Sequence, residues 1–463
     1  MPEPSAQYPP DKRSDRRDVM PRIVVASPPF MSHARPLSVL ASALRVNGAD
    51  VHFACAPDFA HLADEAGVRF EPLVVARNAN TGVAEATRQD AEEAARLGEF
   101  LDATRDGAVA ALLTQAHHRR QDMLAEPEAV LADLRSLDER LHPDWYLVDQ
   151  LSYPVTLALH CLGAPYASFC PGHPGYVLSG PDAYFGMPYD WPRALRPTRE
   201  EEARLLAAVR DNDEAFTTLF AAFARRHAPS AVPPGRAFAL TSPYAVLYSY
   251  PALPWLPPRP AGPEALFAGH TVGPVPALNE EWQRRLRLLR SGSDRVVLVA
   301  LGTFLSARDD VLRTIVRGVL EGTQNTSVVV AAGKRTGKLS DLAGERAVVL
   351  PSVPQQSLLE HVDVVIHHGG NNSFTESVRA GVPALVLPFS SDQFAVARDA
   401  ERTGTGVVLD PNTLTPADVP RALEGLAAAC SGLAYQAGRL RERGPRWGAA
   451  RLMAAMGKRA PSR

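Results

Sequence analysis

Two separate series of short β-branched runs alternating with longer amphipathic stretches constrain this fold most. The first series begins with a strand pattern at residues 23–26, followed by a helix pattern at 36–46 and another strand pattern at 51–54. The second series begins with a strand pattern at 296–301. Such alternation indicates βαβ units, which assemble into parallel sheets. The sequence therefore predicts an α/β protein with two Rossmann-like domains.

A proline-rich passage separates the two series, with eight prolines between positions 251 and 276. Proline at this density is incompatible with helix or sheet interiors and stiffens the backbone, which favours an interdomain linker. We predict a disordered leader at 1–20, an N-terminal domain at 21–250 and a linker at 251–280. A C-terminal domain at 281–430 and a helical tail at 431–463, able to cap either domain, complete the chain. Two such domains face each other across a cleft, where ligands usually bind.

Composition narrows the possible partners. The formal net charge of −2 gives no general attraction to nucleic acid or to an anionic membrane, so an anionic ligand must be held by local dipoles and a few side chains. The four cysteines are scattered and form no CxxC pair, as expected of free thiols in a reducing compartment. No apolar run approaches the roughly 18 residues needed to span a bilayer. We therefore predict a cytoplasmic protein; the sequence leaves its oligomeric state open.

The most informative segment runs from an apolar strand pattern at 364–366 through two glycines into a helix pattern. Gly369 and Gly370 allow unusual backbone angles and leave space for a ligand, while Asn372 and Ser373 are residue types that favour a helix start. The first turn of a helix offers unpaired N–H groups and the positive end of the helix dipole. This arrangement predicts an anion site of the kind that binds phosphate.

The wider segment at 352–393 resembles the donor-binding signature of nucleotide-sugar-dependent glycosyltransferases with the two-Rossmann GT-B fold. The similarity is to the branch that contains plant secondary-metabolite and bacterial macrolide or antibiotic enzymes. It rests on Val-Pro-Gln at 353–355, His-Gly-Gly at 368–370 followed by Asn-Ser and Glu, Gly-Val-Pro at 381–383 and Asp-Gln at 392–393. The resemblance assigns the base to Gln355 and the backbone of Val353, and the ribose to Glu376. It assigns the diphosphate to His368, Asn372 and Ser373, with Gly370 in the same turn and Thr303 near the phosphates. The sugar is assigned to Asp392 and Gln393.

These assignments suit the chemistry of a departing nucleoside diphosphate. Charge develops on the diphosphate as the glycosidic bond breaks, and fixed N–H donors with a histidine stabilise it. The register selects His368, rather than His367, for this role. Plant members carry a tryptophan that stacks on the base where Ser352 stands here, so uracil, thymine and guanine stay open.

A candidate base lies after the first strand of the N-terminal domain. The family writes this loop as Gly-His-x-x-Pro, and Ser32-His33-Ala34-Arg35-Pro36 keeps its His and its Pro. The resemblance implies that His33 removes the proton of an acceptor hydroxyl, and neutral histidine is suited to this at cytoplasmic pH. Asp149, at the end of a predicted strand, matches the family's partner carboxylate, which would orient the imidazole. We expect Pro36 in the first turn of the following helix.

The resemblance implies an inverting transfer of a sugar from a UDP- or dTDP-sugar to a hydroxyl of an apolar small-molecule natural product. A C- or N-linked product stays open. Aromatic residues of the 169–191 insertion are candidates for an acceptor pocket or for helix packing: Tyr176, Tyr184, Phe185, Tyr189 and Trp191. The resemblance implies that the leaving group needs no metal, so we expect no cofactor and no metal. HExxH and CxxC motifs are also absent, and Asp309-Asp310 precede an apolar helix as a capping pair.

Two alternatives share the predicted donor site. A nucleotide-sugar epimerase of the same fold would carry more acid–base groups, and a non-catalytic nucleotide-sugar-binding partner would dispense with His33. A nicotinamide dehydrogenase is disfavoured, because no GxGxxG follows the first strand.

Overall fold

The computed structural model describes residues 20–76, 79–82, 84–87, 91–122, 124 and 126–458. The predicted leader at 1–20 lies outside these residues except for Met20. Within the described part of the chain, no helix is both long and apolar enough to cross a membrane.

The first half forms a seven-stranded sheet in the order β3-β2-β1-β4-β5-β6-β7, and every neighbouring pair is parallel. Its strands are rich in β-branched and aromatic residues and are mostly buried, as expected when helices cover both faces. The strands are β1 (Arg22–Ala26), β2 (Asp50–Cys55), β3 (Arg69–Pro72), β4 (Trp145–Asp149), β5 (Tyr166–Cys170), β6 (Ala245–Tyr248) and β7 (Glu264–Phe267).

In the described part of the chain, seven α-helices lie between β1 and β7 in chain order. The predicted helical insertion between β3 and β4 forms three of them, and a 29-residue helix with a capping box at Thr198 lies before β6. The helices are α1 (Met31–Val46), α2 (Ala60–Ala66), α3 (Ala91–Asp106), α4 (Ala108–Asp122), α5 (Pro127–Leu141), α6 (Tyr153–Leu162) and α7 (Arg199–His227).

The second half forms a six-stranded parallel sheet in the order β10-β9-β8-β11-β12-β13. Its strands are β8 (Arg295–Ala300), β9 (Thr326–Ala331), β10 (Ala347–Leu350), β11 (Val364–His367), β12 (Ala384–Val386) and β13 (Gly406–Val408). Its helices are α8 (Glu280–Ser291), α9 (Gly302–Leu305), α10 (Asp309–Gly322), α11 (Gln355–Leu358), α12 (Asn371–Ala380), α13 (Gln393–Thr403), α14 (Asp418–Ala429), α15 (Leu433–Arg441) and α16 (Pro445–Gly457).

Strand β7 lies inside the passage predicted as a linker, so the prediction was wrong for residues 264–267. These four residues contain no proline, and they pair with β6 at the edge of the first sheet. An edge strand forms ladder hydrogen bonds on one side only, so it tolerates prolines before and after it in the chain. The first sheet therefore extends beyond the predicted boundary at residue 250.

The C-terminal tail divides between the domains. Helix α15 packs against α12 of the second domain, whereas α16 returns to the first and packs against α1, β6 and β7. The α16 side chains that join the first core are buried and apolar: Ala449, Leu452, Ala455 and Met456. The tail thus fastens the end of the chain to the domain in which the chain begins.

Replacement of Leu452 by alanine tests this packing. Leu452 is fully buried, so we expect the free energy of unfolding to fall by about 2–5 kcal/mol in urea denaturation followed by circular dichroism. Arg446→Ala changes an exposed residue of the same helix and should alter it by less than about 0.5 kcal/mol. A Leu452 effect as small as that of the control would contradict the docking of α16.

Candidate active site

Both sheets place their site residues where the strand order reverses. In the first sheet this point lies between β1 and β4, and in the second between β8 and β11. The carboxyl ends of parallel strands diverge there and leave a crevice for ligands. The loops after these strands line one cavity of about 640 Å³ between the two domains, with contributions from His33, Thr303 and His368.

His33 and Asp149 form a hydrogen-bonded pair across the first switch point. His33 lies in the first turn of α1, and its Nδ1 is 3.0 Å from Oδ2 of Asp149, the last residue of β4. Asp149 is fully buried, and its other oxygen accepts from the N–H of Leu151. Burial alone would lower the pKa of His33, but the charge and hydrogen bond of Asp149, with Asp392, raise it above its ordinary value. A carboxylate on Nδ1 leaves Nε2 to exchange a proton with a ligand.

Helix α1 begins five residues earlier than expected, at Met31, so Pro36 lies inside the helix rather than in its first turn. In a helix, the N–H of each residue bonds the carbonyl four residues earlier, but proline has no N–H. Pro36 therefore leaves the carbonyl of Ser32 without this helical bond. The Ser32 carbonyl instead accepts from Nδ2 of Asn372 at 3.0 Å. The proline of the motif therefore leaves an acceptor that joins the His33 turn to the opposite domain.

The second domain presents the start of α12 to the cavity. Gly370 is the N-cap residue, and no side chain caps the helix, so Asn372 and Ser373 lie in its first turn rather than at the cap. Uncapped N–H groups at the start of a helix form an anion site. Asn371, Asn372 and Ser373 all line the cavity.

The glycines of this turn make room for the His368 imidazole. A Cβ added to Gly302 would lie 2.6 Å from the ring, and one added to Gly370 would lie 2.4 Å from it. Burial lowers the pKa of His368 to about 4, so the ring is neutral near pH 7 and carries one N–H. His367 is fully buried, and its Nδ1 accepts from the N–H of Gly369 at 2.9 Å. This nitrogen is therefore already paired within the turn.

Glu376 is held by two glutamines. Nε2 of Gln355 lies 2.7 Å from one carboxylate oxygen and Nε2 of Gln356 lies 2.8 Å from the other. Burial raises the pKa of Glu376, although both amides oppose that shift. Gln355 lines the cavity, whereas Val353 packs on the core of the second domain and its carbonyl accepts from the Gln355 N–H. Sequence patterns did not identify Gln356, because its amide becomes relevant only when α11 meets α12.

The remaining predicted donor residues already have protein partners. Oδ2 of Asp392 accepts from the backbone N–H of His173 at 2.8 Å, and a Cβ at Gly172 would come within 2.4 Å of it. Oε1 of Gln393 accepts from two backbone N–H groups of the loop that precedes α13. The Thr303 hydroxyl accepts from Nδ2 of Asn80 at 3.2 Å. All three line the cavity.

One contact between the domains holds a loop in a strained form. Ser391 has a φ of 56°, a left-handed conformation that a residue with a Cβ rarely adopts. Gln115 of α4 fixes it, since its Nε2 lies 2.8 Å from the Ser391 hydroxyl and its Oε1 accepts from the Ser391 N–H. Sequence analysis missed this pair, which is separated by 276 residues.

The aromatic insertion mainly serves packing. Among the five aromatic residues named as candidates, Tyr176 lines the cavity. Phe185 belongs to the core of the first domain, Tyr184 packs under Arg210 and Arg236, and Trp191 contacts Phe394 of α13. Tyr189 is partly exposed.

The described residues contain no group of three or more His, Cys, Asp or Glu side chains arranged to hold a metal ion. Asp309 and Asp310 are the first two residues of α10 rather than its caps, because the N-cap residue is Arg308 and makes no side-chain cap bond; Asp310 is paired with the buried Arg308.

The second half of the chain matches the model of a known protein family. The model of the family described as UDP-glucoronosyl and UDP-glucosyl transferase matches residues 252–431. The segment that matches this transferase family contains all ten predicted donor residues. The chain is also similar to NDP-glycosyltransferase YjiC of Bacillus subtilis (strain 168), with 27% identity over 155 residues. That match covers 33% of this chain and 39% of the relative's length.

Solved structures extend the similarity to both domains. The glycotransferase of kitacinnamycin superposes with a TM-score of 0.68 at 22% identity, over 95% of this chain and 100% of that one. The glycosyltransferase VinC, solved in complex with dTDP, gives a TM-score of 0.63 at 21% identity, over 94% and 100%. The predicted GT-B fold is confirmed.

The opposing influences on His33 give a test of the pair. In the Asp149→Asn variant, burial remains while the carboxylate charge is lost, so we expect the pKa of His33 to fall below its ordinary value of 6.5. NMR titration of the His33 ring protons measures this pKa in the wild type and in the Asp149→Asn variant. Because the folded pKa of the wild type is raised, the pair's contribution to stability is complete below pH 6.5 and is lost as pH rises through the folded pKa. An unchanged His33 pKa in the variant would exclude Asp149 as its cause.

Proposed function

We propose that this protein is an inverting glycosyltransferase that moves a sugar from a UDP- or dTDP-sugar to a hydroxyl of an apolar small-molecule natural product. The observation that carries the proposal is that His33, which is paired with Asp149, and the start of α12 line one cavity. Names of related proteins support the donor class, since VinC was solved with dTDP and the family is named for UDP-linked sugars.

In the proposed mechanism, Nδ1 of His33 donates to Asp149 and Nε2 accepts the proton of the acceptor hydroxyl. The acceptor oxygen forms a bond to the anomeric carbon while the bond from that carbon to the diphosphate breaks on the opposite face. The raised pKa of His33 favours the imidazolium that results, and Asp149 stabilises it.

The nucleoside diphosphate leaves toward the first turn of α12. Unpaired N–H groups, the helix dipole and the N–H of His368 stabilise the developing charge there. We propose that Gln355 and the backbone of Val353 contact the base, while Glu376, fixed by its two glutamines, accepts from the ribose hydroxyls. Asp392 and Gln393 contact the sugar, and no metal ion takes part.

Replacement of His33 by alanine tests the proposed base. We expect transfer to fall by about 10²- to 10⁴-fold, because no group is left to accept the hydroxyl proton. Mass spectrometry of nucleotide sugars combined with a panel of hydroxylated aromatic and polyketide acceptors measures the transfer. Affinity for the nucleoside diphosphate should stay within about twofold, since it depends on the other domain. The control His61→Ala alters an exposed histidine of α2 and should keep full activity. Near-normal transfer by His33→Ala would refute the assignment.

The donor site is tested separately with His368→Ala. Loss of a hydrogen bond to a charged group should weaken binding of UDP and dTDP by about 10- to 100-fold in calorimetry. His361→Ala, at an exposed position before β11, serves as the control and should bind as the wild type does. Equal affinities for the wild type and both variants would place the diphosphate elsewhere.

A further inference from the structure

A cationic side chain on the cavity wall has no anionic partner. Arg119 of α4 lines the cavity, and no hydrogen bond or ion pair joins it to any described residue. It packs against an aromatic face instead, with its guanidinium carbon 4.4 Å from the centre of the Phe185 ring. Gly186 leaves room for the Arg119 guanidinium, because a Cβ added at Gly186 would lie 2.9 Å from one of its nitrogens.

The other arginines of the cavity wall are neutralised. Arg96 forms a two-pronged ion pair with Asp122, at 3.0 and 2.6 Å, and Arg35 is paired with Glu65. Asp392 acts on Arg119 only at longer range, since its carboxylate accepts from the His173 N–H and forms no ion pair with this arginine. Among the arginines that the structure describes on the cavity wall, only Arg119 therefore lacks an ion-pair partner.

Helical spacing places this charge next to the proposed reaction centre. Gln115 and Arg119 are four residues apart on α4 and so share one face of the helix. Gln115 bonds Ser391, the residue before Asp392, so Arg119 projects into the same part of the cavity. Both belong to the first domain, which faces the acceptor in the proposed function. Arg120, the next residue along, is exposed.

An empty cavity lets water hydrate the guanidinium, but an entering molecule displaces that water. Burying a cation without a compensating acceptor is strongly unfavourable, and the Phe185 contact offsets only a part of that cost. A wholly apolar acceptor would therefore bind poorly beside Arg119. A planar guanidinium is, by contrast, well matched to the two oxygens of a carboxylate.

We propose that Arg119 binds an anionic oxygen group of the acceptor, such as a carboxylate, so that the acceptor is an acid with an apolar body. This inference rests on the proposed function and refines its acceptor class. It makes Arg119 a specificity-determining residue, distinct from the base His33.

Matched acids and esters test the proposal. Hydroxylated naphthoic and anthraquinone carboxylic acids and their methyl esters are titrated by calorimetry into the full-length protein, with and without saturating UDP. Kinetics of transfer are measured for the same pairs. For at least one pair, we expect the wild type to favour the acid by about tenfold or more, in affinity and in kcat/KM.

Three variants separate charge from structure. Arg119→Leu should weaken the acid about 10- to 100-fold, mainly through KM, and leave the ester unchanged or improved. Arg119→Lys should keep part of the preference, and the neighbouring Arg120→Leu should keep all of it. Thermal unfolding checks that each variant is folded. Absence of a preference in the wild type, or an equal loss on acid and ester in Arg119→Leu, would overturn the proposal.

A donor arm distinguishes the source of the anionic group. Binding of UDP-glucuronate is compared with that of UDP-glucose in the wild type and in Arg119→Leu. A selective loss of UDP-glucuronate binding would assign Arg119 to a donor carboxylate and overturn the acceptor assignment. If no nucleotide sugar supports transfer, the proposed function fails, while the acid–ester binding difference still decides the role of Arg119.

Discussion

The buried amide of Asn371 fixes the second domain against the first at the point where the two halves of the site meet. Its Nδ2 donates to the carbonyls of Pro171 and Ser249, at 2.7 and 2.8 Å, both outside the second domain. Each such bond contributes about 1 kcal/mol, but an unsatisfied buried carbonyl costs about 1–3 kcal/mol. Separation of the domains here must therefore hydrate these groups, which favours the arrangement in which the start of α12 lies beside the His33 turn. The Asn372–Ser32 bond, one residue along the same helix, depends on that register.

The histidine motifs acquire a physical meaning from what surrounds them. Sequence reasoning treated the glycines mainly as turn formers, and Gly369, with a φ of 82°, fits that view. Gly302 and Gly370 have a further task, because side chains there would occupy the volume of the His368 ring. The polar residues that the pattern suggested as caps lie within the helix, so the N-cap residue Gly370 offers no side chain to the first N–H groups of α12. A sequence typical of a well-capped helix thus produces an uncapped one at the site.

Local patterns predicted the two sheets, the switch-point loops and the pairing of His33 with Asp149, because each depends on a short motif at the end of a strand. Features that arise between distant segments were not predictable in this way. β7 was hidden by the prolines on either side of it, and α16 carries no signal for which domain it covers. Gln115 lies in an ordinary helical stretch until α4 packs near Ser391. Arg119 resembles any surface arginine in the sequence, and only the cavity, the Phe185 ring and the missing carboxylate distinguish it.

The two histidines of the cavity, His33 and His368, have pKa values that their surroundings shift in opposite directions. Burial acts on both and disfavours the charged ring. At His33 the adjacent carboxylate of Asp149 outweighs burial and raises the pKa, whereas His368 has no such partner and its pKa falls to about 4. A group whose cationic form is favoured is suited to receive a proton, and one that stays neutral is suited to donate a hydrogen bond without changing charge. Environments that separate two similar groups in this way are a common means of assigning acid–base roles. The proposed assignment of base to the first domain and leaving-group stabilisation to the second therefore follows from the position of the Asp149 carboxylate beside His33, not from the histidines themselves.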